Sequence, residues 1–289
     1  MWFLYALSFS VWGGIGVVIA KSKFKDIPSV AVPFLVLAFA LPSMLIVLLS
    51  TTGIPTVTPR FFIFAFASGL LDSIAFVLAF LAIKKTDVSL IAPMSAFSPV
   101  LTTIIAIFVL NEIPTPFKSL GIILVVMGSY LLNIAEIKHG ILSPFKKLFG
   151  NSGVLLFLIS TLIWSVTPVL QKSAILETTP VTPLFASFGG LLTAFLLLSP
   201  FAIRIVLKNT KKIKKKIQWF MLYGMGTAFS QLAAYTAFSM TNIAYVSAIM
   251  RLEVVIIILL GGRFLKEKVT KQRLLGAIVM IIGALILAS

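Results

Sequence analysis

Three ionisable residues interrupt runs of otherwise apolar sequence, and their types define the chemistry open to this chain. Asp72 lies in SGLLDSIAFVLAF (68–80), and Arg251 and Glu253 lie in SAIMRLEVVIIILL (247–260). At the centre of a membrane helix a charged side chain costs about 2.5–3.5 kcal/mol on translocon scales, so each is a functional candidate. On a helix, the neighbours of Asp72 three and four residues away are Ser68, Gly69, Ala75 and Phe76. That mostly small face leaves room for a cavity or for a closely packed helix. A structural carboxylate hydrogen-bonded to neighbouring helices is the alternative. Arg251 and Glu253 are two apart, which on a continuous helix turns them to different sides and makes them poor partners. Arg251 is placed to meet Asp72 or a substrate carboxylate, or to snorkel outward. Glu253, nearer the midplane, has no such escape, and internal ion-pairing competes with function for both.

Polar and aromatic residues at similar depth extend the set. Trp12 and Trp164 sit near mid-span, away from the interfacial belts that tryptophan favours, so they read as packing or cavity walls. Ser95, Gln171, Thr227, Gln231 and Tyr235 supply hydrogen-bonding groups, some of which serve only to bridge helices. Pro93, Pro99 and Pro168 can interrupt helices where a site needs free backbone groups, or simply kink them. Other chemistries are missing. There is no GxxxxGKS/T phosphate loop, the one histidine (His139) has no carboxylate cluster for a metal site, and cysteine is absent. No cofactor is expected.

The elements that must position these residues follow from composition. The 289 residues are 60% hydrophobic and only 11% charged, with mean hydropathy +1.13. A soluble domain of this size cannot bury that much apolar side chain, so the chain reads as an all-α polytopic membrane protein. Spans of about 20 residues fall near 2–20, 28–50, 61–83, 88–110, 117–136, 152–173, 181–203, 218–240, 243–265 and 270–288. The first has no basic residue before it and no convincing cleavage site after it, and reads as a retained helix.

The ten spans form two halves. An offset of 155 pairs Gly69 with Gly224, Thr86 with Thr241, Glu112 with Glu267, Gly121 with Gly276 and Gly128 with Gly283. An offset of 152 pairs Ser8 with Ser160, Trp12 with Trp164 and Pro28 with Pro180. Residues 1–136 and 152–289 are thus expected to be five-helix repeats joined by a loop, 137–151. Five is odd, so the second repeat enters the membrane from the opposite side. Charge points the same way: loops after the odd-numbered spans hold 20 Lys and Arg, against three in the other loops and termini. The positive-inside rule then predicts basic loops in the cytoplasm and both termini outside. The location expected is the plasma (inner) membrane of a prokaryote. The net charge of +16 therefore points to anionic lipid and not to nucleic acid. The run KNTKKIKKK (208–216) reads as an orientation and headgroup patch.

The order of features in each half resembles the ten-helix EamA branch of the drug/metabolite transporter superfamily. The residues that carry it are SVWGG and LIWSVTPVLQK, AIKKTDVSLIAPMSAFSPV and AFSMTNIAYVSAIMRLEVV, then Glu112 and Glu267. The glycine-spaced LGIILVVMGSYLL and LGAIVMIIGALIL complete the set. The resemblance implies a secondary carrier of small metabolites, often an exporter, with a cavity lined by helices 1, 3, 4, 6, 8 and 9. It favours a cavity role for both tryptophans. Where the family often carries proline in helix 4, as at Pro99, the counterpart in helix 9 is Val254, so that helix is expected to be straighter. The function expected is export of a small organic metabolite such as an amino acid, by alternating access of a monomer. Asp72 or Glu253 would carry any coupling proton. A membrane-embedded enzyme acting on a lipid-linked substrate is the alternative.

Overall fold

The computed structural model describes residues 1–86, Ser95, 98–131, 151–264 and 271–289. Pro93, His139 and Glu267, singled out above, lie outside them. The described chain is helical, apart from one two-stranded ribbon. Its elements are α1 (Trp2–Lys23), α2 (Ala31–Thr51), β1 (Thr56–Val57), α3 (Pro59–Lys85), α4 (Ser98–Leu110), α5 (Pro116–Leu131) and α6 (Ser152–Leu176). They continue with β2 (Thr178–Thr179), α7 (Pro183–Lys208), the short α8 (Thr210–Lys214), α9 (Ile217–Met240), α10 (Ile243–Met250), α11 (Glu253–Phe264) and α12 (Lys271–Ala288).

Local chemistry explains the boundaries. Pro59 and Pro183 open α3 and α7, where a missing N–H is harmless. Asn151 caps α6 by accepting from the N–H groups of Gly153 and Val154, and Asn242 caps α10 by accepting from Ala244. Asn111, just beyond α4, takes a left-handed φ of 54°, which asparagine tolerates better than most residues.

Among the described residues, six helical segments are long and apolar enough to cross a membrane: α1, α2, α3, α6, α7 and the stretch Ile243–Leu260, which takes in α10 and most of α11. Three shorter apolar helices accompany them, Ser98–Leu110, Pro116–Leu131 and Leu274–Ala288. With its 24 residues α9 has the length, but it carries Gln218, Thr227, Ser230, Gln231, Thr236 and Ser239, and much of that polarity faces the interior site described below. Large apolar side chains such as Phe62, Phe108, Leu207 and Leu285 cover the outside of the bundle. With no interior to enter, they suit hydrocarbon: this is a polytopic helical membrane protein.

Small residues bring the helix backbones together. A Cβ added at Gly128 would stand 2.7 Å from Gly276 O, and one at Gly283 would stand 2.7 Å from Gly121 O. The glycines spaced by seven are therefore the α5–α12 contact. Along α3, Gly69 meets Gly190 O of α7 in the same way, at 2.6 Å. β1 pairs antiparallel with β2, Thr56 opposite Thr179, and joins the start of α3 to the end of α6. The other end of the bundle carries Lys23, Asp26, Lys85 and Lys216; α1 runs from the ribbon end to this basic end, and α6 runs back. Asp26 is held there by an ion pair with Lys216, which keeps its carboxyl below the usual range.

The stretch expected to be straighter, with Val254 where the first half has Pro99, is interrupted. Between α10 and α11 the chain turns at Arg251–Leu252, with Arg251 N–H donating to Ala248 O and Leu252 N–H to Ile249 O. These i→i−3 bonds tighten the helix without a proline. The absence of proline at Val254 did not protect this span.

Candidate functional site

A cavity of about 190 Å³ lies inside the bundle between α1, α3, α6, α9 and the α10–α11 break, with Ser95 on its wall. Nine of the ten residues expected to form a site line it: Trp12, Asp72, Ser95, Trp164, Gln171, Thr227, Gln231, Arg251 and Glu253. Tyr235 does not. It is 1% exposed and packs behind the cavity wall, its hydroxyl 3.0 Å from where a Cβ on Gly190 would stand.

Asp72 sits midway along α3 and is 4% exposed. Gln171 Nε2 on α6 donates to its Oδ2 at 2.9 Å, and Thr167 and Trp164 of the same helix line the cavity beside that carboxyl. All three come from one face of α6, spaced at three, four and seven residues, so one helix presents them together. Arg251 is not the partner of Asp72. Its Nη1 lies 3.1 Å from Glu253 Oε1, the ion pair that spacing argued against. The helix interruption explains the difference, because the side-to-side geometry of residues two apart holds only while the helix continues. Both side chains are largely buried, and Arg251 Nε has no partner among the described residues.

Trp12 contributes its ring to the wall. A Cβ on Gly226 would fall 1.9 Å from Trp12 Cζ2, so the indole lies flat against bare backbone of α9. Its Nε1 is buried without a partner among the described residues. Trp164 packs edge-on to Phe76 at 5.6 Å between centroids. Sequence reasoning missed Phe9, Phe76, Phe157, Tyr223 and Phe238, which also line the cavity. Phenylalanine is too common in this chain for any one to stand out. Thr167 had a signal: it lies one turn from both Trp164 and Gln171.

An apolar exterior around an aromatic cavity with a buried carboxyl and a buried ion pair defines the class as a polytopic membrane protein with an internal polar site. The model of the EamA-like transporter family matches residues 1–134 and 151–289. The chain belongs to that family and so to the drug/metabolite transporter superfamily, whose EamA members are transporters. Uncharacterized protein MJ1333.1 of Methanocaldococcus jannaschii is 30% identical over 92 residues, spanning 32% of this chain and 67% of that protein. A solved crystal structure of a protein has a TM-score of 0.72 at 14% identity, covering 99% of this chain and 94% of that one, which establishes likeness of fold.

Proposed function

We propose that this protein is a secondary active transporter that exports a small organic metabolite, such as an amino acid, by alternating access. The observation that carries the reading is the cavity itself. Groups from both halves of the chain converge on one cavity, where a carboxyl, a carboxylate–guanidinium pair and amide groups are set among aromatic rings. A few placed polar groups in an apolar enclosure are the usual form of a small-molecule site. Charges of both signs suit an amphipathic solute. Helices 1–5 and 6–10 act as inverted repeats that rock about this space. A proton carried by Asp72 or Glu253 is the coupling ion we favour. The protein works as a monomer in a prokaryotic plasma membrane, with the basic end of the bundle in the cytoplasm and both termini outside.

Counterflow in proteoliposomes tests this. Vesicles preloaded with one metabolite of a panel should transiently accumulate the same labelled metabolite against its gradient, and the rate should saturate. Flux that is linear in concentration, without counterflow, would contradict a carrier.

A further inference from the structure

Glu112, just past the end of α4, is bound on both carboxylate oxygens. Oε1 forms an ion pair with Lys172 of α6, and Oε2 accepts from the Ile243 N–H at 2.7 Å. Lys172 Nζ also donates to Thr241 O at 2.6 Å. Thr241 caps the C-terminal end of α9 and Ile243 begins α10, so the pair grips one tight corner from both sides. The carboxylate faces a helix N-terminus and the ammonium a helix C-terminus, the favourable sense for both dipoles. The two side chains are 17% and 10% exposed, which makes this a mostly desolvated contact.

Its position matters as much as its strength. α10 carries Met250 into the cavity seven residues beyond Ile243, and Phe238 lines the cavity three residues before Thr241. Both are buried, as is Gln171. Gln171 and Lys172 are consecutive, so adjacent residues of α6 hold the cavity carboxyl of Asp72 and the carboxylate of Glu112. The ribbon also crosses between halves at this end, but it joins α3 to α6, which pack along each other. Glu112 instead fastens the first half to the corner above the cavity. At the basic end, Lys21 donates to Thr86 O at 2.7 Å, and Thr86 is the residue that matches Thr241 at the 155 offset.

We propose that the Glu112–Lys172 pair on the α9–α10 corner is the latch that keeps the cavity shut at the ribbon end, and that it must release for the cavity to open there. The proposal rests on the alternating-access reading above. Release of the corner frees α10, and with it Met250, to swing from the cavity roof.

The chain has no cysteine, so single reporters can be placed without background. M250C reports the ribbon end and V17C the basic end, each labelled by a water-soluble maleimide in nanodiscs. In the otherwise unaltered chain, M250C should react slowly and V17C readily. E112Q should raise M250C labelling about tenfold, the factor equivalent to one lost charge-assisted hydrogen bond, and should slow V17C. The swap E112K/K172E keeps an ion pair but reverses it against both helix ends, so it should leave M250C fast. M250C labelling unchanged by E112Q, or faster at both reporters with a lower unfolding temperature, would make the pair a plain brace and overturn the latch. A swap that restored slow labelling would show that the helix ends play no part and would overturn the clamp as described. Fast labelling of both reporters in the unaltered chain would instead remove alternating access itself.

Discussion

Asp72 and the Arg251–Glu253 pair face the same cavity from helices of different kinds. α3 runs unbroken for 27 residues through Asp72, and its carboxyl is met by the neutral amide of Gln171 on a neighbouring helix. The other segment stops at Met250 and restarts at Glu253, and its two charges satisfy each other across the gap. A continuous helix leaves a charge to be matched by its neighbours, while an interrupted one can match charge within itself. The first arrangement leaves Asp72 without a described counter-ion and sensitive to what enters the cavity. The second is already paired within one segment, so whatever enters the cavity must compete with that pair.

That contrast can be broken by removing a partner on each side. Glu253→Gln strands the Arg251 guanidinium, and losing one member of a buried pair costs about 3–5 kcal/mol. A large fall in thermal unfolding temperature is expected, with a smaller one for R251M/E253M, which removes both charges. Equal stability of E253Q and the unaltered protein would mean that the pair does not hold the break. Gln171→Leu should have the lesser effect, about 1.5–3 kcal/mol for one hydrogen bond to a charged group, with a clear change in transport rate. Were Q171L to destabilise more than E253Q, the neutral donor would be the structural element and the comparison would invert.

Much of this was legible in the sequence, for reasons of period and cost. The α5–α12 contact follows from glycines spaced by seven, since a missing side chain on one face has few other uses. Nine cavity residues could be found because polar groups in an apolar span are expensive and must face something other than lipid. The misses have physical causes too. The break at Arg251–Leu252 has no proline to announce it, and the pairing of Arg251 with Glu253 depends on that break. Tyr235 is polar at its tip, but its ring packs as core. Lys172 looked like one of the few basic residues on the sparsely charged side. Its partner Glu112 is 60 residues away in sequence, and no local pattern links the two.

The central claim is that Asp72 is the responsive group of a transport cavity, and Asp72→Asn tests it most directly. The substitution keeps the shape and a hydrogen-bonding oxygen for Gln171 but removes the ionisable charge. The measurement is uptake driven by a proton gradient in proteoliposomes, across a range of pH, with substrate exchange followed alongside. The account predicts that D72N loses proton-driven accumulation and its pH dependence while exchange persists. Unchanged pH dependence in folded D72N would contradict it and leave Asp72 a structural carboxyl.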